Sequence, residues 1–88
     1  MKTLILYRPR SEHARSVEEF VQNLTRVYPE TQPTLTDVDS IDGSHQAELY
    51  DAVHYPAILV LADDGSVVMS WMSEQLPLID EVAGYVRS

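Results

Sequence analysis

The hydrophobic period of the chain switches within its first thirty residues, and that switch restricts the folds open to it. Thr3-Leu4-Ile5-Leu6-Tyr7 is a continuous β-prone run. It stops at Arg8-Pro9, because proline has no N–H for a central ladder and restricts the residue before it. From Ser11 onward Ala14, Val17, Phe20, Val21, Leu24, Val27 and Tyr28 recur at three- and four-residue spacings, the apolar stripe of an amphipathic helix ended by Pro29. Two N-terminal signals compete for that helix, Ser11 as a cap and the capping box Ser16-x-x-Glu19. Ser11 is preferred, since Ala14 already belongs to the stripe. A strand without alternation followed by a one-faced helix opens a βαβ unit.

The remainder completes that unit and adds a second pattern. After a polar loop, Thr34 to Asp39 predicts a short strand, and Asp42-Gly43-Ser44 starts a short helix through Ala47, Leu49 and Tyr50. Ala57-Ile58-Leu59-Val60-Leu61 is a buried strand, Asp63-Asp64-Gly65-Ser66 a tight turn, and Val67 to Trp71 the returning strand of a hairpin. Pro77 suits a first helical position, and Leu78, Ile79, Val82, Tyr85 and Val86 follow at helical spacing. The order β-α-β-α-β-β-α predicts an α/β domain with a four-stranded mixed sheet in spatial order 2-1-3-4. The first and third helices share one face and the second lies opposite. All 88 residues fit one domain, 1–88, without a repeat or linker, and a hydrophobic share of 44% suffices for a packed core.

Composition closes several chemistries. There is no cysteine, which excludes a disulfide framework, a Cys-ligated metal and a thiol nucleophile. The longest apolar run, Ala57 to Ala62, is too short for a bilayer span, and no signal-peptide pattern precedes the first strand, so a cytoplasmic location and no membrane partner are expected. The net charge of −8 is uneven: residues 1–29 hold five basic and three acidic side chains, residues 30–88 one basic and eleven acidic. Such an acidic body repels a phosphate backbone, so no nucleic-acid partner is expected.

Asp37-Val38-Asp39, Leu49-Tyr50-Asp51-Ala52-Val53-His54-Tyr55-Pro56-Ala57, Ile58 to Leu61 and Asp64-Gly65-Ser66-Val67-Val68 together resemble the C-terminal half of a thioredoxin. With the shorter N-terminus of the glutaredoxin branch, the resemblance covers nearly the whole chain. It implies the thioredoxin-like fold, a cis peptide before Pro56, and a redox Cys-x-x-Cys between the first strand and first helix, where this chain has Ser11 and Ala14. A thiolate is both attacker and leaving group in disulfide exchange, so Ser11 and Ala14 cannot perform it and the family's catalytic residues do not carry over. The Tyr55-Pro56 backbone does carry over as a position: in the family it faces the active-site loop and pairs with an extended substrate, so a binding edge can outlive the chemistry. The plainer alternative is a proline kept because the fold needs that turn.

Arg8, Arg10, His13 and Arg15 crowd with Ser11 around the expected N-terminus of the first helix, where free N–H groups and the helix dipole favour an anion. The competing reading is solvated side chains that offset an acidic body. The resemblance implies a groove that can take glutathione, which points to a carboxylate or acidic peptide. Ser11, Glu12 and His13 have the residue types of a hydrolase, but consecutive side chains diverge about a helix instead of converging. His13, His45 and His54 lack metal-ligand spacing, so neither metal nor cofactor is expected. Met69, Trp71 and Met72 are expected to pack on the last helix, and any left outside would favour a partner or a weak homodimer. The resulting expectation is a redox-inactive, non-enzymatic thioredoxin-like module of bacterial type, monomeric or weakly dimeric, that binds a protein or peptide. Binding of a small anion such as glutathione is the alternative, and a non-thiol enzyme stands behind both.

Overall fold

The computed structural model describes residues 1–87. Its elements are β1 (Lys2–Tyr7), α1 (Ala14–Val27), a 3-10 turn (Pro29–Thr31), β2 (Pro33–Asp37), α2 (Ile41–Leu49), β3 (Ala57–Leu61), β4 (Val67–Met72) and α3 (Ile79–Arg87). The sheet order is β2-β1-β3-β4, with β1 and β2 parallel and the other pairs antiparallel. This is the order expected from the sequence.

The period of two along each strand builds two cores from one sheet. Ile5, Tyr7, Ile58 and Val60 point to one face, where Val17, Phe20 and Leu24 of α1 and Val82 of α3 cover them. Leu4, Leu6, Ala57, Leu59 and Leu61 point to the other, where they meet Val38, Ala47 of α2 and Ala52. A strand buried on both faces has no polar side to alternate with, which is why β1 and β3 read as unbroken runs.

Element ends differ from the sequence reading at the starts of the three helices and at the end of β2, each for a local reason. The helix α1 starts at Ala14 and not at Ser11, because the Ser11 hydroxyl donates back to the Arg8 carbonyl at 2.6 Å and caps nothing ahead of it. The strand β2 stops at Asp37, whose carboxylate accepts the Asp39 N–H at 2.8 Å and turns the chain. Ser40 then caps α2, its hydroxyl oxygen accepting the Gly43 N–H at 3.0 Å. The helix α3 starts at Ile79, two residues beyond Pro77, and the Glu81 carboxylate closes its first turn by accepting the Leu78 N–H at 3.2 Å.

The alternation also separates the large side chains of β4. Trp71 packs edge-on against Tyr85 of α3, ring centroids 5.6 Å apart. Met72, one residue on and paired with Ala57, faces the opposite core, so the expectation that Met69, Trp71 and Met72 pack on the last helix is met by Trp71 and fails for Met72, while Met69 belongs to neither core cluster. At the hairpin tip Gly65 takes φ 89°, and Asp64 accepts both the Ser66 hydroxyl (2.7 Å) and its N–H (3.0 Å). Those bonds, the hydroxyl's first, hold the Asp64 carboxyl below its ordinary range.

Candidate functional site

The ladder between β1 and β3 pairs Leu6 with Ala57, so the end of the first strand lies beside the start of the third. Whatever follows Tyr7 therefore meets whatever precedes Ala57. The segment 8–13 follows, and the Tyr55–Pro56 peptide, which is cis, precedes. Likewise Ala57 pairs with Met72, which brings the stretch after β4 to the same end of the sheet.

Three segments far apart in sequence thus line one open concavity of about 600 Å³: Arg10, Ser11, Glu12, His13, Ser16 and Val17 from the entry to α1, Pro56 before β3, and Glu74 and Leu76 after β4. A second concavity, of about 460 Å³, opens beside α2 and holds Arg8 and Tyr55 with Val38, Asp39, Ala47, Glu48, Asp51 and Val53 among its lining. The basic residues singled out from the sequence are therefore distributed. Arg10 and His13 line the first hollow with Ser11 and Pro56. Arg8 turns into the second, 5.3 Å from the Tyr55 ring centroid and 3.6 Å from the Asp39 carboxylate. Arg15 lines neither, its side chain 91% exposed and 3.4 Å from Glu19 one helical turn on.

The first hollow is amphoteric. Glu12 and Glu74 stand in it with Arg10 and His13, and Val17, Pro56 and Leu76 supply apolar wall. Glu74 and Leu76 escaped the sequence reading, although the hairpin pairing carried the signal: once Met72 is matched to Ala57, the residues after Met72 must neighbour Pro56.

Hydrogen bonding at the loop settles what its polar groups can do. The Ser11 hydroxyl is engaged on the Arg8 carbonyl, and His13 Nε2 accepts the Arg8 N–H at 3.3 Å. Ser11 and His13 are thus both bonded to the Arg8 backbone and not to each other. Among the described residues no group of three or more His, Asp or Glu side chains is arranged to hold a metal ion. No helix among them is long and apolar enough to cross a membrane.

Comparison with solved structures decides the fold. The chain superposes on thioredoxin 1 from the thermophilic eubacterium Thermosipho africanus TCF52B with a TM-score of 0.72 at 13% identity, covering 99% of this chain and 91% of that one. The fold is thioredoxin-like. A structure described as a malarial protein is similar to this thioredoxin-like chain at a TM-score of 0.75 and 10% identity, over 98% of this chain and 92% of the other. No protein-family model matches the sequence, and no curated protein matches it. In this thioredoxin-like domain Ala14 is the first residue of α1 and is buried, Ser11 sits in the turn before it, and cysteine is absent from the chain. The domain is therefore redox-inactive toward disulfides, because no sulfur anion is available to attack or leave.

Proposed function

We propose that this thioredoxin-like domain is a non-catalytic binding module, and that an extended polypeptide segment occupies the hollow between the entry to α1 and Pro56. One observation carries the reading: Arg10 to His13, Ser16 and Val17, Pro56, and Glu74 with Leu76 line a single open groove. Its walls offer charges of both signs and apolar contacts, which suits a polypeptide with mixed side chains better than a compact anion. The absence of a thiol and the backbone engagement of Ser11 and His13 leave recognition as the use of the groove. A small-anion reading, with glutathione as the model ligand, rests on Arg10 and His13 beside the start of α1, and is weakened by Glu12 and Glu74 in the same wall.

The test is a titration of the ¹⁵N-labelled domain with the mixed-charge peptide Glu-Val-Lys-Val-Glu and, separately, with glutathione. Peptide binding should shift the amides of Ser11 to Arg15 and of Tyr55 and Ala57 together, saturably, and persist at about 0.3 M salt, where attraction between exposed charges is screened. Arg10→Ala should abolish the saturation with the fold intact. Saturation by glutathione alone would transfer the site to a small anion, and no saturable shift with either probe would overturn the groove as a site.

A further inference from the structure

β4 is an edge strand, paired on one side to β3 and on the other to nothing among the described residues. In an antiparallel ladder every second residue of such a strand aims its N–H and C=O outward, a template for another strand. Protein edges are normally guarded by charge, by proline or by shortness. The opposite edge here is guarded: β2 begins at Pro33, ends at Asp37 and is five residues long. The edge at β4 carries neither charge nor proline; its register shifts once, where Val67 pairs with Leu61 and Met69 with Val60, and runs regularly from Met69 to Met72. From Gly65 through Ser73 there is no charged residue and no proline, and Val67 and Val68 are exposed at 43% and 40%.

Charge reappears at both ends of this neutral stretch with one sign. Asp63 and Asp64 precede it, Asp63 paired with the N-terminal ammonium at 2.8 Å and Asp64 without a cationic partner among the described residues, and Glu74 follows. Asp64 is held ionised by Ser66 at the hairpin tip, so that end stays negative. A second copy of the chain, added antiparallel about a two-fold axis, would bring the Asp63–Asp64 end of each molecule against the Glu74 end of the other, twice, between chains that each carry −8. Like charges across a register disfavour that pairing. A foreign strand with an uncharged, β-prone centre and basic residues at its ends meets no such penalty.

We propose that the free edge of β4 is a strand-addition site for an extended polypeptide segment whose uncharged centre is flanked on both sides by lysine or arginine. Main-chain pairing along residues 67–72 supplies the affinity, and the carboxylates at the two ends select the basic flanks and set the register. The site shares only its Glu74 end with the groove at Pro56, and either can fail without the other.

The experiment uses the intact chain and a fluorescein-labelled peptide, Lys-Lys-Thr-Val-Thr-Val-Thr-Lys-Lys, read by anisotropy and by amide shifts and hydrogen exchange. Expected are saturable binding, slowed exchange confined to residues 67–72, and a loss of at least about tenfold when alternate peptide amides are N-methylated, which blocks pairing without changing the side chains. Replacing the flanking lysines by glutamate should abolish binding. Asp64→Asn should weaken it several-fold, and Val68→Lys, which places a guarding charge on the edge, should remove it. The N-methylated control needs no variant, so the conclusion survives if Val68→Lys misfolds. Absence of saturable binding, undiminished binding of the N-methylated peptide, or shifts centred on residues 10–16 would overturn the proposal. Sedimentation showing a dimer whose formation protects residues 67–72 in the chain alone would replace the foreign strand by a second copy and overturn it as well.

Discussion

The guanidinium of Arg8 lies over the ring of Tyr55, 5.3 Å from its centroid, with the Asp39 carboxylate 3.6 Å away. This contact ties the end of β1 to the turn before β3 and takes Arg8 out of the groove that Arg10 lines. Arg8→Ala is expected to cost about 0.5–1 kcal/mol, the range for a solvent-exposed cation–π contact with a weak ion pair. Arg10→Ala should stay within about 0.5 kcal/mol of the parent, as exposed loop substitutions do. Urea unfolding of the two variants side by side checks the contrast.

Two glycines in helices should respond to alanine with opposite signs. A Cβ on Gly43 would stand 1.8 Å from the Asp37 carbonyl oxygen, because the first turn of α2 packs directly on the end of β2. Gly43→Ala should therefore destabilise by about 1–3 kcal/mol, the usual cost of overpacking. Around Gly84 in α3 a Cβ meets nothing within 4 Å. Gly84→Ala should stabilise by about 0.4–1 kcal/mol through the lower entropy of the unfolded chain. Thermal melts of the pair decide both.

Leu24 is fully buried where α1 packs on the sheet, whereas Leu78 is 68% exposed ahead of α3. Leu24→Ala should cost about 2–5 kcal/mol and lower the melting temperature by at least about 8 °C, a large part of the stability of a domain this size. Leu78→Ala should change stability by less than about 0.5 kcal/mol. Differential scanning calorimetry reads the difference directly.

Acid sensitivity should trace to named carboxylates. Asp64 is held below the ordinary Asp value of 3.8 chiefly by the Ser66 hydroxyl, and Glu30 below the ordinary Glu value of 4.5 chiefly by a backbone N–H bond and then by Arg87. Both have lower pKa values folded than unfolded. Their contribution is present above those ordinary values and is lost as the pH falls through the depressed folded ones. Ser66→Ala should raise the Asp64 pKa toward the ordinary value. Arg87→Ala should raise that of Glu30 only in part, since its main cause remains. Carboxyl ¹³C titration of each variant measures the two shifts.

The fold was readable because its signals are local. A helix repeats near 3.6 residues and a strand near two, so the stripe from Ala14 to Tyr28 and the unbroken runs at Leu4 and Ile58 declare themselves within a dozen residues. The hairpin was equally plain from Asp64-Gly65 between two β-prone runs, and the sheet order follows from short right-handed connections. The candidate site was readable only as segments: the loop after β1 and Tyr55-Pro56 were both identified, but not how their side chains divide.

By itself, then, the sequence determined the elements and their order, the two-sided burial of β1 and β3, and, through the absence of cysteine, the exclusion of disulfide chemistry. Tertiary structure decided the rest. Ser11 could bond forward to a helix N–H or back to a carbonyl, and three residues in either direction look alike until the turn at Arg8 closes. Arg8 and Arg10 are two residues apart, yet one is drawn to Tyr55 and Asp39 while the other lines a groove completed by Glu74 and Leu76. A backbone period can be counted along the chain. The direction of a flexible charged side chain is set by partners that only folding brings near, and those partners lie tens of residues away.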